Sequence, residues 1–109
     1  MEERRGEVRM LCADMVELRW KDATGKLRHA TGLLEDICAS GACLQLEAAV
    51  PRGAEVFWES PRQEFRGRVR YCVYREIGYF IGVEFISSTR WSKKAFRPQH
   101  MLDPQTLLR

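Results

Sequence analysis

The chain has 109 residues and a mass of 12.7 kDa, which is enough for one domain with a single small core and too little for two domains. Its composition, 45% hydrophobic and 30% charged, is typical of a soluble globular protein and excludes intrinsic disorder of the whole chain. The net charge of +3 is uneven, because residues 1–59 carry −3 and residues 60–109 carry +6.

Apolar and polar residues alternate with a period of two over most of the chain, which is typical of antiparallel β-strands. The first predicted strand ends at a turn through residues 22–25, Asp-Ala-Thr-Gly, and the next begins near Lys26, so the two form a hairpin. In the fifth strand we expect Arg66, Arg68 and Arg70 on the side opposite the apolar residues. The residues expected to share one side of each strand are Val16, Leu18 and Trp20; Leu27, His29, Thr31 and Leu33; Ala42, Leu44 and Leu46; Val56 and Trp58; Phe65, Val69, Tyr71 and Val73; and Tyr79, Ile81, Val83 and Phe85.

These six strands predict an all-β fold, a six-stranded antiparallel β-barrel. Closure into a barrel buries one face of the sheet and hides its edges. We expect the barrel over about residues 11–86, a flexible arm over residues 1–10 and an irregular tail over residues 87–109. Asp103 and Pro104 resemble a helix N-cap and first helical position, so the tail can include a short helical turn.

The cysteines and histidines give no sign of a metal site or of disulfide bonds. No apolar run approaches the ~18 to 20 residues that cross a bilayer, and the amino terminus lacks a secretion signal, so we expect a cytoplasmic protein with reduced thiols and no membrane insertion. Structural zinc sites use paired ligands, and Cys38 and Cys43 have no second pair to match. We expect Cys12 and Cys72 at or near the core, and His29 as a core histidine.

Two short elements carry the strongest functional signal. Residues 4–9 read Arg-Arg-Gly-Glu-Val-Arg, and residues 36–41 read Asp-Ile-Cys-Ala-Ser-Gly, directly before an apolar strand. Arginine side chains four residues apart can lie on one side of an extended or a helical segment and close on one ligand. A carboxylate accepts hydrogen bonds only, and a glycine permits a positive φ or a close backbone approach.

Together these elements resemble the PilZ domain family, whose signature combines RxxxR on an amino-terminal arm with [DN]xSxxG in the barrel. Arg5 and Arg9 match the first element, and Asp36 and Gly41 match the second. Cys38 stands where the family has serine. The sequence of residues 78–85, Gly-Tyr-Phe-Ile-Gly-Val-Glu-Phe, is similar to the closing strand of that family, so the resemblance covers the chain from about residue 4 to residue 85.

The resemblance implies a cytoplasmic receptor that binds the bacterial second messenger cyclic di-GMP, does no chemistry on it and signals to a partner protein. Its arm would be ordered over the ligand, with Arg4, Arg5 and Arg9 forking to phosphate oxygens or to the guanine O6 and N7 edge. Asp36 would accept the guanine N1 and N2 hydrogens. A thiol at Cys38 would hold phosphate or a neighbouring side chain more weakly than a hydroxyl.

Three other classes of function remain open from the residues. A barrel of this kind that has lost its ligand would act as a protein interaction module. A small basic barrel with an arginine-rich strand could bind single-stranded nucleic acid, although Tyr74 and Phe80 alone form a thin platform for base stacking. An enzyme is least expected, because no nucleophile, base and orienting group can be identified and no phosphate-binding glycine motif occurs, and we expect no cofactor.

Overall fold

The computed structural model describes residues 9–61, 63–86, 89–91 and 101–102. In these residues the regular elements are all strands. The strands are β1 (Met10–Lys21), β2 (Leu27–Cys38), β3 (Gly41–Leu46), β4 (Glu55–Glu59), β5 (Glu64–Arg75), β6 (Gly78–Phe85) and β7 (Met101–Leu102). No helix among the described residues is long and apolar enough to cross a membrane.

The six long strands close into an antiparallel barrel, which confirms the predicted fold class. Their order is β2, β3, β6, β5, β4, β1, and a long β1–β2 ladder joins the two ends. Beyond this barrel, β7 pairs with Leu11 and Cys12 of β1. The tail therefore contributes two strand residues where the sequence predicted irregular structure, and the predicted helical turn at Asp103 and Pro104 lies outside the described residues.

The barrel interior is filled by the apolar side chains that alternate along the strands. The predicted inward residues of β3 and β4 are all buried. The rings of Trp58 and Phe65 stack with their centroids 5.2 Å apart, and Phe85 lies 5.6 Å from Phe65. Burial of a large apolar side chain contributes about 1.5 to 3 kcal/mol relative to exposure, so this aromatic cluster (Trp58, Phe65 and Phe85) is a major source of stability.

Two β-bulges change the face on which side chains lie. In β2 the ladder with β3 shifts between Leu34 and Asp36, and in β5 the ladder with β6 shifts between Val69 and Tyr71. One extra residue on one strand reverses the alternation beyond it. The prediction that Tyr71 and Val73 face inward is therefore wrong: both are exposed on the outer side.

The bulge in β5 also turns Cys72 towards the interior. Its side chain packs partly buried against the core, as does that of Cys12, and this confirms the prediction that both thiols lie at or near the core. All four cysteines are free thiols.

The distal half of the β1–β2 hairpin corrects the prediction for His29. The β3 ladder meets β2 only from Leu33 onward, whereas β1 and β2 stay paired out to Lys21 and Leu27. This half of β2 therefore pairs with β1 only. The side of the strand that carries His29, which was predicted to face the core, faces outward here. The His29 ring is exposed, with Nδ1 2.8 Å from Glu17 Oε2, so it is not a core histidine.

Candidate functional site

The arm and the β2 motif meet in an ion pair. Arg9, which directly precedes β1, places Nη1 2.5 Å from Oδ1 of Asp36, although the two residues are 27 positions apart in sequence. The Arg9 side chain is 42% exposed and that of Asp36 is 21% exposed, so both remain accessible from solvent. The structure thus joins one residue from each motif, and Arg4 and Arg5 lie outside the described residues.

The bulge in β2 determines the outward position of Asp36. Leu34 and Ile37 are both buried in the core, and the extra residue between them, Glu35, leaves Asp36 on the outer side of the strand. Without the bulge, Asp36 would follow the parity of Leu34 and face the interior. The position of this carboxylate therefore depends on one additional residue in the strand.

Asp36 belongs to a row of paired residues that crosses five strands on the outside of the barrel. We call this the Asp36 row. The ladder pairs that define it run from β1 through β2, β3 and β6 to β5. Its members are Leu11, Asp36, Cys43, Gly82 and Tyr71.

Tyr71 is the member of the row that sequence reasoning missed. Its ring covers Gly82, where a Cβ atom would collide with three ring atoms, and its hydroxyl donates to Cys43 Sγ at 3.8 Å. Burial, and secondly the neighbouring Cys43, raise the pKa of Tyr71 to about 12. The available signal was a glycine in a β6 strand pattern, which often marks a close approach of another group.

The thiols near Asp36 are protonated at neutral pH. Burial, reinforced by the carboxylates of Asp14 and Asp36, raises the pKa of Cys12 to about 12. Burial also raises the pKa of Cys43, and the Asp36 carboxylate adds to that shift. Because the thiolate is the reactive form, neither cysteine is activated for nucleophilic chemistry.

Cys38 occupies a buried position beside the row. Since Ile37 points into the core, its neighbour Cys38 lies on the same, outer side of β2 as Asp36. The residue is nevertheless only 3% exposed, and its Sγ lies 3.8 Å from Ser40 Oγ. The Cys38 thiol is thus enclosed by protein and has a hydroxyl within reach.

Gly41 makes the close backbone approach that its place in the motif suggested, but the approach is to a neighbouring strand. A Cβ atom at Gly41 would collide with the carbonyl oxygen of Val83 in β6, and its φ is not among the positive values. The structure therefore gives Gly41 a role in packing β3 against β6.

The turn between β2 and β3 is held by the last residue of β6 and by the segment that follows it. The Ser40 carbonyl accepts a hydrogen bond from the Phe85 amide at 2.8 Å, and the Ala39 carbonyl accepts one from the Trp91 amide at 3.3 Å. The Trp91 side chain is itself buried in the core. These contacts fix the position of the second motif against β6 and Trp91.

The arginines of β5 lie outward, as predicted, and pair with acidic side chains. Arg68 lies 3.2 Å from Glu55 of β4, and Arg70 lies 2.5 Å from Glu84 of β6. Arg66 lies near the Phe57 ring, with its guanidinium 5.7 Å from the centroid. These ion pairs reduce the positive field expected from the strand's sequence.

Among the residues that the structure describes, no group of three or more His, Cys, Asp or Glu side chains is arranged to hold a metal ion. Comparison with family models and with curated proteins finds no match for this chain.

Proposed function

We propose that this chain is a receptor domain for cyclic di-GMP, which it binds at Asp36 and the amino-terminal arm without chemical change and reports to a partner protein. The observation that carries the proposal is the contact between Arg9 and Asp36. The residues that gave the PilZ resemblance are far apart in sequence, yet these two lie side by side on an accessible surface.

The chemistry of the two side chains suits the two parts of the ligand. The Asp36 carboxylate accepts hydrogen bonds and can pair with the N1 and N2 hydrogens of guanine, which adenine does not present. The Arg9 guanidinium can fork to a phosphodiester, or to guanine O6 and N7. The ion pair places the two side chains together, so that one ligand can contact both.

The proposal assigns the rest of the arm a role in ligand binding. Residues 1–8 lie outside the described residues, and among them Arg4 and Arg5 supply two further guanidinium groups. We expect these groups to close over the phosphates, so that amide hydrogen exchange in residues 1–9 slows when cyclic di-GMP binds. Equal exchange rates with and without bound ligand would contradict an ordering arm.

A protein interaction module without a nucleotide is the second candidate, and one observation favours it. Several large apolar side chains lie exposed on the outer surface, and Leu11, Met15 and Val73 are among them. Apolar groups on a monomer's surface are common singly, but several on one sheet face can form part of a protein contact. The nucleic-acid alternative is weaker, because Arg68 and Arg70 already pair with glutamates.

Isothermal titration calorimetry with cyclic di-GMP tests the proposal. We expect saturable binding by the wild-type chain and at least about tenfold weaker binding by Arg9→Ala and by Asp36→Asn, since each removes charge-assisted hydrogen bonds. Arg28→Ala is a matched control, because Arg28 pairs with Asp22 at 3.5 Å in the distant β1–β2 turn.

The outcomes separate the candidates. No binding by the wild-type chain at high micromolar ligand would overturn the receptor proposal and leave the interaction module. Equal weakening by Arg28→Ala would show that binding depends on general charge. Cyclic di-AMP serves as the ligand control, and binding as tight as that of cyclic di-GMP would contradict guanine recognition by Asp36.

A further inference from the structure

Tyr71 lies at the end of the Asp36 row with a fixed ring and an accessible surface. We propose that this ring is a stacking platform for a guanine base of the bound dinucleotide. The inference rests on the proposed function and adds to it an aromatic contact that neither sequence motif contains. It depends on three features of the structure: the register of the row, the glycine under the ring and the hydroxyl contact to Cys43.

The register brings the ring close to the carboxylate. Neighbouring strands lie about 4.8 Å apart, so three spacings separate the backbones of Asp36 and Tyr71. The Tyr71 side chain shortens that gap, because its ring lies over Gly82 and its hydroxyl reaches Cys43, the direct ladder partner of Asp36. A dinucleotide held at Asp36 therefore extends naturally over the ring.

Gly82 is what allows the ring to lie down on the sheet. A Cβ atom at this position would occupy the space of the ring, so any other residue would push Tyr71 away from the surface. With glycine beneath it and Cys43 at its hydroxyl, the ring is held on two sides. Little conformational freedom is then lost when a base stacks on it.

The exposure of Tyr71 leaves room for a ligand. The residue is 47% exposed, so a large part of the ring surface faces solvent. Base-aromatic stacking contributes to affinity for every base, because each base has a π-face. The platform would add affinity, whereas the choice of guanine would come from hydrogen bonds to Asp36.

Tyr74 provides a matched control on the same strand. It is also exposed, but its ring packs edge-on against Tyr79 with the centroids 5.1 Å apart, near the β5–β6 turn. It does not belong to the Asp36 row. The two tyrosines therefore share residue type and strand and differ in whether they adjoin the candidate site.

The test combines calorimetry with proton NMR of the ligand for the wild-type chain and three variants. We expect Tyr71→Leu to weaken cyclic di-GMP binding about five- to hundredfold, from the usual contribution of one stacked base. Tyr71→Phe keeps the ring on Gly82 and loses only the weak contact to Cys43, so it should bind nearly as tightly as the wild type. Tyr74→Leu should bind as the wild type does. An upfield shift of a guanine H8 resonance on binding should persist with Tyr71→Phe and disappear with Tyr71→Leu.

The outcomes distinguish this inference from the proposal beneath it. If the wild-type chain does not bind cyclic di-GMP, both fail. If it binds through Arg9 and Asp36 but Tyr71→Leu binds equally well, only the stacking platform is overturned. The melting temperature of each variant shows whether a loss of affinity reflects unfolding. If Tyr71→Phe binds but the guanine H8 resonance does not shift upfield on binding, the stacking platform is also overturned.

Discussion

The aromatic cluster inside the barrel and the Asp36 row outside it differ in how their strands are paired. The β4–β5 ladder around Trp58 and Phe65 is regular, and their rings stack away from water. The row crosses β2 and β5 next to a bulge in each strand, and both Asp36 and Tyr71 remain partly exposed. The regular ladder provides stability, while the bulges present side chains to solvent.

The buried aromatic cluster and the candidate binding site use different residues of the same strand. Phe65 and Tyr71 both belong to β5, and only the bulge between them places one inside and the other outside. Substitutions in the cluster should therefore change stability without changing the site. Substitutions in the row should do the opposite.

The largest expected effect is on the aromatic cluster. Phe65→Ala removes a fully buried ring that contacts Trp58 and Phe85, so we expect the free energy of unfolding to fall by about 3–5 kcal/mol. Denaturant unfolding measures this loss. Phe65→Leu keeps most of the apolar volume and should lose less, while binding cyclic di-GMP as the wild type does. A reduced affinity for cyclic di-GMP in the folded Phe65→Leu variant would contradict the claim that the aromatic cluster does not affect the candidate site.

Two glycine substitutions should differ in their effects on stability and on affinity. Gly41→Ala would force a Cβ atom against the backbone carbonyl of Val83, and such overpacking typically costs about 1–3 kcal/mol of stability. At Gly82 the obstacle is the Tyr71 ring, which can rotate away, so Gly82→Ala should cost less stability and more affinity. Thermal melts and titrations of both variants check this ordering, and equal loss of stability in the two would contradict it.

The barrel could be predicted from the sequence where strand alternation is uninterrupted. In β3, Ala42, Leu44 and Leu46 follow the predicted faces, because no bulge shifts the ladder with β6. The inward prediction failed for Tyr71 because Arg70 is an extra residue in β5 with no ladder partner in β6, and no local residue pattern indicates that insertion. The alternation therefore predicts the fold. The Asp36 row depends in addition on three register shifts, which lie between Leu11 and Asp14, between Leu34 and Asp36, and between Val69 and Tyr71.

The candidate site was predictable to the extent that its motifs are local. Arg9 and Asp36 were predicted from their motifs to bind one ligand, but their contact depends on the long-range pairing of β1 with β2. His29 was misassigned because sequence does not show where β3 stops covering β2. Tyr71 was missed for the related reason that a ladder register is a long-range property.

Cys38→Ser tests the position at which the chain departs from the motif. A hydroxyl at this buried site would lie near Ser40, on the same side of β2 as Asp36. It can form a stronger hydrogen bond there than a thiol, which is a weak donor and a weak acceptor. We expect stability close to that of the wild type and a gain in cyclic di-GMP affinity of up to about tenfold. If both the melting temperature and the affinity fall, the hydroxyl is buried without a partner and Cys38 is not a ligand contact.

The smallest expected effect is the pH dependence of the exposed β1–β2 hairpin. Hydrogen bonds from Thr31, and then from His29, hold the pKa of Glu17 below its ordinary value. Because the folded pKa is lowered, this contribution to stability is present above the ordinary carboxyl pKa and is lost as the pH falls through the folded value.

Unfolding as a function of pH compares the wild type with Glu17→Gln. We expect the stability difference between them to shrink on acidification below the ordinary carboxyl pKa, with no change in cyclic di-GMP affinity at neutral pH. A difference that stays constant through this acidic range would contradict the lowered pKa. A change in affinity at neutral pH would link the hairpin to the site.

The most direct test of the central claim is an NMR titration of isotope-labelled protein with cyclic di-GMP. We expect saturable changes in the amide resonances of residues in and beside the Asp36 row, namely Arg9, Asp36, Cys43 and Tyr71, and little change at Trp58 in the aromatic cluster. No change in the spectrum, or changes centred on Phe57 and the paired arginines of β5, would contradict a ligand site at the Asp36 row.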